Sequence, residues 1–211
     1  TNVTRIGNEA PYTFNQLGWI PDGSFITDGN NVQAGLDRDG NVTDGIDPNS
    51  EAFSGTRLFS YTYQPYNPST GTGDVPIPAP QTYPGSAFQQ GIVTQLFYTT
   101  NWFHDEAYRL GFTEAARNFQ NVNFTGQGID SDRVRGEAQD AVGTNNANFT
   151  TAADGVRGRM QMFLFSGPNP DIDGSLDNDV VIHELTHGLS SRLHGNSLGL
   201  FNDMSRGMGE G

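Results

Sequence analysis

The chain has 211 residues, 34% of them hydrophobic, with 24 acidic against 11 basic side chains and a formal charge of −13. It can therefore bury one good core, yet it offers nothing like the basic face that phosphate backbones require. All the basic residues are arginine and cysteine is absent, which excludes Schiff-base and P-loop lysines, disulfides, thiolate nucleophiles and cysteine-based zinc sites.

Residues 1–86 are rich in Gly, Pro, Asn, Asp and aromatics, with punctuators such as Pro21-Asp22-Gly23 and Asp39-Gly40 between short apolar pieces. They read as a loop- and strand-rich segment distinct from residues 87–211. The start, Thr1-Asn2-Val3-Thr4-Arg5, lacks the apolar core of a signal peptide, and no apolar run approaches the roughly 20 residues of a membrane span. The expectation is a soluble, processed chain with neither a nucleic-acid nor a membrane partner. Over 58–63, Phe59, Tyr61 and Tyr63 alternate with Ser60 and Thr62, a strand pattern. A proline-rich connector over 71–84 leads to a helix predicted over 87–110, where Ile92, Val93, Leu96, Phe97, Phe103, Ala107 and Leu110 recur mostly at steps of three and four, and Gly111 is the stop. A shorter helix is predicted over 113–119, with Thr113 as N-cap and Glu114 in its first turn. A hairpin-like β region follows, with strands over 133–139, 145–151 and 159–165; in the last, Met160, Met162 and Leu164 alternate with Arg159, Gln161 and Phe163. After Asp177 the period returns to helical, with Val181, Ile182, Leu185, Leu189 and Leu193 on a helix over 178–194 closed by Gly195.

That last helix contains His183-Glu184-Leu185-Thr186-His187. Residues four apart share a helical face, so two imidazoles can converge on one tetrahedral metal while Glu184, one step round, reaches a water bound there. Zinc is the expected ion; the competing reading is a surface helix with two unrelated histidines. Without cysteine the third ligand must be His or a carboxylate. Glu210 is the candidate, in Gly207-Met208-Gly209-Glu210-Gly211, where small residues would let the backbone pass close to the helix; a solvated glutamate is the alternative. Asp171, Asp173 and Asp177 lack the spacing and closing Glu of an EF-hand, so they read as helix capping and N-terminal charge. His104 reads as a structural histidine hydrogen-bonded across helix packing, and His194 as a partner of the helix dipole. Four sequons, at Asn2, Asn41, Asn123 and Asn148, are glycan acceptors only on a secretory route.

The run from Asp179 to Ser190 around that motif, together with Gly207-Met208-Gly209-Glu210-Gly211, resembles the fungalysins, secreted fungal zymogen-derived metalloendopeptidases of the thermolysin-like, Glu-liganded superfamily. The likeness extends through Thr94-Gln95-Leu96-Phe97-Tyr98, Phe103-His104-Asp105, Leu110-Gly111-Phe112, Gly143-Thr144-Asn145-Asn146-Ala147-Asn148-Phe149 and Gly158-Arg159-Met160-Gln161-Met162. It covers about residues 88–211 well and is loose before 86. The resemblance implies an α+β fold: a mixed β-sheet lobe with long helices, the zinc helix at its edge, and a mostly helical C-terminal lobe absent from this chain. It implies that His183, His187 and Glu210 bind zinc, and that Glu184 is the general base that takes a proton from zinc-activated water and passes it to the leaving amine. Asn145, Asn146 and Ala147 would hold an extended substrate at a strand edge. Asp179 matches a position that helps bind calcium in thermolysin.

No tyrosine lies between His187 and Glu210, whereas thermolysin carries a tyrosine electrophile in that interval. Oxyanion stabilisation would then come from elsewhere, and loss of one such donor costs about a hundredfold or more in rate. The expectation is a secreted, extracellular zinc endopeptidase acting on proteins and peptides, completed by a second chain carrying the C-terminal lobe. Two other readings stand beside it: an inactive truncated fragment that binds zinc or extended peptides without cleaving them, and an acidic secreted structural module, which would hold no zinc.

Overall fold

Alternation of apolar residues builds the sheet. The computed structural model describes residues 18–210 except 42, 63, 65, 68, 76, 78–80 and 201. Strand β1 (Val32–Leu36) pairs in parallel with β2 (Val134–Ala138), and β2 in parallel with β4 (Arg159–Met162); β3 (Ala147–Thr150) runs antiparallel to β4 at the edge. The spatial order is β1-β2-β4-β3. Register places Val32, Ala34 and Leu36 on one face with Val134, Gly136 and Ala138, then Met160 and Met162, then Phe149 and Ala147. On the opposite face lie Arg135, Glu137, Arg159 and Gln161.

The apolar face is covered by α1 (Ala87–Arg109). Ser86 caps this helix and Gln89 reaches back to the Ser86 backbone N–H, a reciprocal capping box. Ile92, Val93, Leu96 and Phe97 are buried as their spacing predicts, and Leu96 lies over Gly136, where a β-carbon would come within 3.3 Å of its side chain. Leu110 departs from the prediction: it is the C-cap and 90% exposed, because Gly111, at φ +110°, turns the chain away there. The predicted helix over 113–119 is only a 3-10 turn, Glu114–Ala116, ended by Arg117 in the left-handed region; Thr113 makes no side-chain cap. Glu114 is buried instead and accepts from the Phe124 and Thr125 backbone N–H groups at 2.8 and 2.7 Å, organising the loop beyond it.

Three β expectations change. The region over 133–165 is not a simple hairpin, since its first and third strands are parallel neighbours and the second lies outside them. The strand predicted over 159–165 breaks at Phe163, after which β5 (Leu164–Phe165) pairs with β6 (Ile172–Asp173). Residues 58–62 form no strand; Tyr61 donates its hydroxyl to the Phe53 carbonyl and Phe59 and Tyr61 pack against the core as side chains. Tyr63 lies outside the described residues.

Helix α2 (Asn178–Leu193) starts under the Asp177 carboxylate, which accepts from the Asp179 and Val180 N–H groups. Its first residue is braced from α1, where Gln95 and Thr99 donate to the Asn178 side-chain oxygen at 2.8 and 3.1 Å. The buried stripe is Val181, Leu185, Gly188 and Arg192, with the predicted Leu189 half-buried against the core, whereas Leu193 is 49% exposed. Arg192, fully buried, donates to Asp132 at 2.6 Å, and its guanidinium lies 4.5 Å over the Phe119 ring. Gly188 sits against the Phe149 ring of β3, and this close approach seats the helix on the sheet edge. A last helix, α3 (Asp203–Gly209), is capped by Asn202 with Ser205 reciprocating. None of the described helices is long and apolar enough to cross a membrane.

Candidate metal centre

Helical periodicity sets the site. His183 and His187, one turn apart on α2, project from the side opposite the buried stripe, with ring centroids 4.5 Å apart and planes nearly perpendicular at 88°. Their Nε2 atoms are 2.9 Å apart, and each lies 3.5 Å from Oε2 of Glu210, which follows α3. Ligands held tetrahedrally at about 2.0–2.2 Å from zinc are separated from one another by roughly 3.3–3.6 Å. The two sides that meet at Glu210, 3.5 Å each, have that span and the side between the imidazoles is shorter at 2.9 Å, while the donors, two imidazoles and a carboxylate, have the chemistry of a zinc site. All three side chains are partly exposed, Glu210 most and His187 least.

The small residues before Glu210 are not what permits this approach. A β-carbon on Gly207 would meet nothing, and one on Gly209 would make only ordinary contact with His187 at 3.9 Å. Glu184, between the histidines, is buried, and burial pushes its carboxyl above the ordinary carboxylate range; His183 opposes that rise and Glu210 adds to it.

The remaining expected residues lie as follows. Asn145, with φ +59°, exchanges hydrogen bonds with Ser166, its side-chain oxygen accepting from the Ser166 N–H at 2.8 Å and its Nδ2 donating to the Ser166 hydroxyl at 2.9 Å. Asn146 is exposed, and Ala147 opens β3, which pairs only with β4 among the described strands. Asp179 is exposed in the first turn of α2 and belongs to no grouping of metal-ligating side chains among the described residues. Asp173 caps the 3-10 turn Gly174–Leu176 and Asp177 caps α2, which fits the capping reading of that acidic run. His104 is buried between Asp105 at 3.1 Å and Asn118 at 3.3 Å, and the His194 ring meets the Ser190 carbonyl at the end of α2. Of the sequons, Asn41 is exposed, Asn123 and Asn148 are half-buried, and Asn2 lies outside the described residues.

Two groupings escaped the sequence reading: Asp37, Glu137 and Asp140, all buried, and Asp37, Asp39 and Asp47. The pair Asp37 and Asp39 was visible as a short acidic repeat, but its meeting with strand β2 depends on the fold.

The fungalysin metallopeptidase (M36) profile matches residues 3–211. An extracellular metalloproteinase MEP of Pyricularia oryzae is 43% identical over 202 residues, which is 92% of this chain and 29% of that protein. Extracellular metalloproteinase 10 of Coccidioides posadasii is 42% identical over 201 residues, again 92% of this chain and 29% of the relative. Extracellular metalloproteinase 3 of Trichophyton soudanense is 49% identical over 136 residues, or 63% and 35%. The chain thus spans less than a third of the length of the first two.

Proposed function

The chain belongs to the fungalysin metallopeptidase family, and from that premise we propose that it carries the metal ligands and general base of a secreted, extracellular endopeptidase. The observation that supports this reading most strongly is the triangle of His183 Nε2, His187 Nε2 and Glu210 Oε2. These three residues would hold zinc, which when bound polarises the scissile carbonyl and acidifies the attacking water. Glu184, between the two histidines, would be the general base, taking a proton from the attacking water and delivering it to the departing amine nitrogen. The edge of β3 that no described strand pairs receives the substrate in extended form, with Asn146 and the Ala147 carbonyl meeting its backbone; Asn145, engaged with Ser166, shapes the approach to that edge. Among the described sequons, exposed Asn41 is the best placed glycan acceptor.

The activity belongs to the whole protein. We assign oxyanion stabilisation and the wall that receives the residue after the cut to the C-terminal lobe, carried on the same polypeptide or on a companion chain. The test is Glu184→Gln in the full-length protein. Hydrolysis of a protein substrate is expected to fall by about 10²–10⁴-fold, with zinc content by atomic absorption unchanged. Near-normal hydrolysis by that variant would remove Glu184 from the reaction, and a zinc-free wild-type protein would remove the metal centre.

A further inference from the structure

We propose that the loop after β1 is a calcium site in which Asp37, Asp39 and Asp47 hold one cation beside the polar face of the sheet, apart from the His183 centre. One carboxylate oxygen from each of the three lies within 4.8 Å of the others, the spread that oxygens take around a single calcium at about 2.3–2.6 Å each. The donor set is all oxygen, without imidazole, which selects a hard cation over zinc. An irregular loop also suits calcium's tolerant geometry better than magnesium's strict octahedron.

A second observation separates this cluster from a mere acidic patch. Asp37 is fully buried, yet its Oδ1 accepts no hydrogen bond; the other oxygen faces Arg159 at 3.4 Å. Asp37 also belongs to the buried grouping with Glu137 and Asp140, and Oε1 of Glu137 likewise accepts none. Arg159 contacts Asp37, Glu137 and Asp140, and Arg135 lies 3.9 Å from Glu137. With Arg38, whose guanidinium reaches the Gln139 carbonyl beside Asp140, three arginines against five carboxylates still leave an excess of negative charge largely out of water, where an uncompensated anion is expensive. Arg135 and Arg159 both reach Glu137, and Arg159 takes only one oxygen of Asp37, so the place for a divalent cation is the loop side, where exposed Asp39 gives an entry from solvent. Asp47 is held in place there, one oxygen accepting from the Arg38 N–H at 2.6 Å and from the Tyr83 hydroxyl.

The probe is calcium itself, titrated calorimetrically into the full-length, zinc-loaded protein in metal-free buffer. Uptake of one calcium is expected, weakened at least about tenfold in Asp39→Asn, the lower end of what even outer-shell changes around a metal cost, and unchanged in Asp179→Asn. Absence of uptake, or uptake insensitive to Asp39→Asn, overturns the proposal; so does loss in Asp179→Asn alone. Terbium, a calcium stand-in, gives a second reading that leaves the ligands intact. Tyr83 touches Asp47, so tyrosine-excited terbium emission per bound ion is expected to fall several-fold in Tyr83→Phe, and undiminished emission would place the ion elsewhere.

Discussion

Asp173 shows how a single buried carboxyl sets a pH dependence. It lies beneath the start of α2, its Oδ1 accepting from the Ser175 N–H at 2.8 Å, and burial raises its pKa from 3.8 to about 6 against the opposing effect of that hydrogen bond. In the unfolded chain it ionises near its ordinary value, so the folded state binds the proton more tightly. This contribution to stability is therefore complete below about pH 4 and is lost as pH rises through about 6. Asp173→Asn keeps the shape and the capping oxygen but removes the ionisation. Urea unfolding is expected to show a flatter pH dependence between about pH 4 and 6, with the variant more stable at neutral pH by up to about 3 kcal/mol. An unchanged slope would mean that Asp173 is not the group responsible.

Among elements, the seating of α2 on β3 decides where the histidines point. Gly188 lies in the buried stripe, and a β-carbon there would come within 2.7 Å of the Phe149 ring. Replacing a mid-helix glycine by alanine ordinarily gains about 0.5–1 kcal/mol, whereas forcing an extra carbon into a filled core costs about 1–3 kcal/mol. The second effect is the larger, because Phe149 is also pressed by Gly158 from the strand beyond. Gly188→Ala is thus expected to destabilise by about 1–2 kcal/mol in chemical denaturation, with weakened zinc affinity if the helix tilts. A gain in stability would show that the Phe149 ring moves aside freely.

Across the whole molecule, Arg192 ties the end of α2 to the segment that leads into β2. Besides Asp132 it donates to the Arg117 carbonyl at 3.2 Å, and neither member of its ion pair reaches solvent. Removing one partner of such a pair strands the other and costs about 3–5 kcal/mol, a large share of the roughly 5–15 kcal/mol that holds a domain folded. Arg192→Met, which keeps much of the packing, is expected to lower the denaturation midpoint steeply, and adding Asp132→Asn to recover part of the loss. Equal destabilisation by the single and double variants would assign the effect to packing over Phe119 rather than to charge.

What the sequence determined by itself is local. The pentapeptide 183–187 already put two imidazoles on one face, because helical period alone fixes the angle between residues four apart. The helix starts at residues 87 and 178 and the three strand segments within 133–165 were legible from periodicity too, steps of three and four for the helices and alternation for the strands. Tertiary structure decided the rest. β1 escaped notice because a strand with glycine and glutamine among its five residues carries a weak pattern until it pairs with β2. The buried face of α2 runs through Arg192 because Asp132, 60 residues away, meets it there. Glu210 could be nominated from sequence, but its approach to 3.5 Å from both histidines depends on how α3 folds back. The carboxylates around Asp37 come together for a like reason: pairing of β1 with β2 draws distant charges into one place, and no periodicity along the chain records such an encounter.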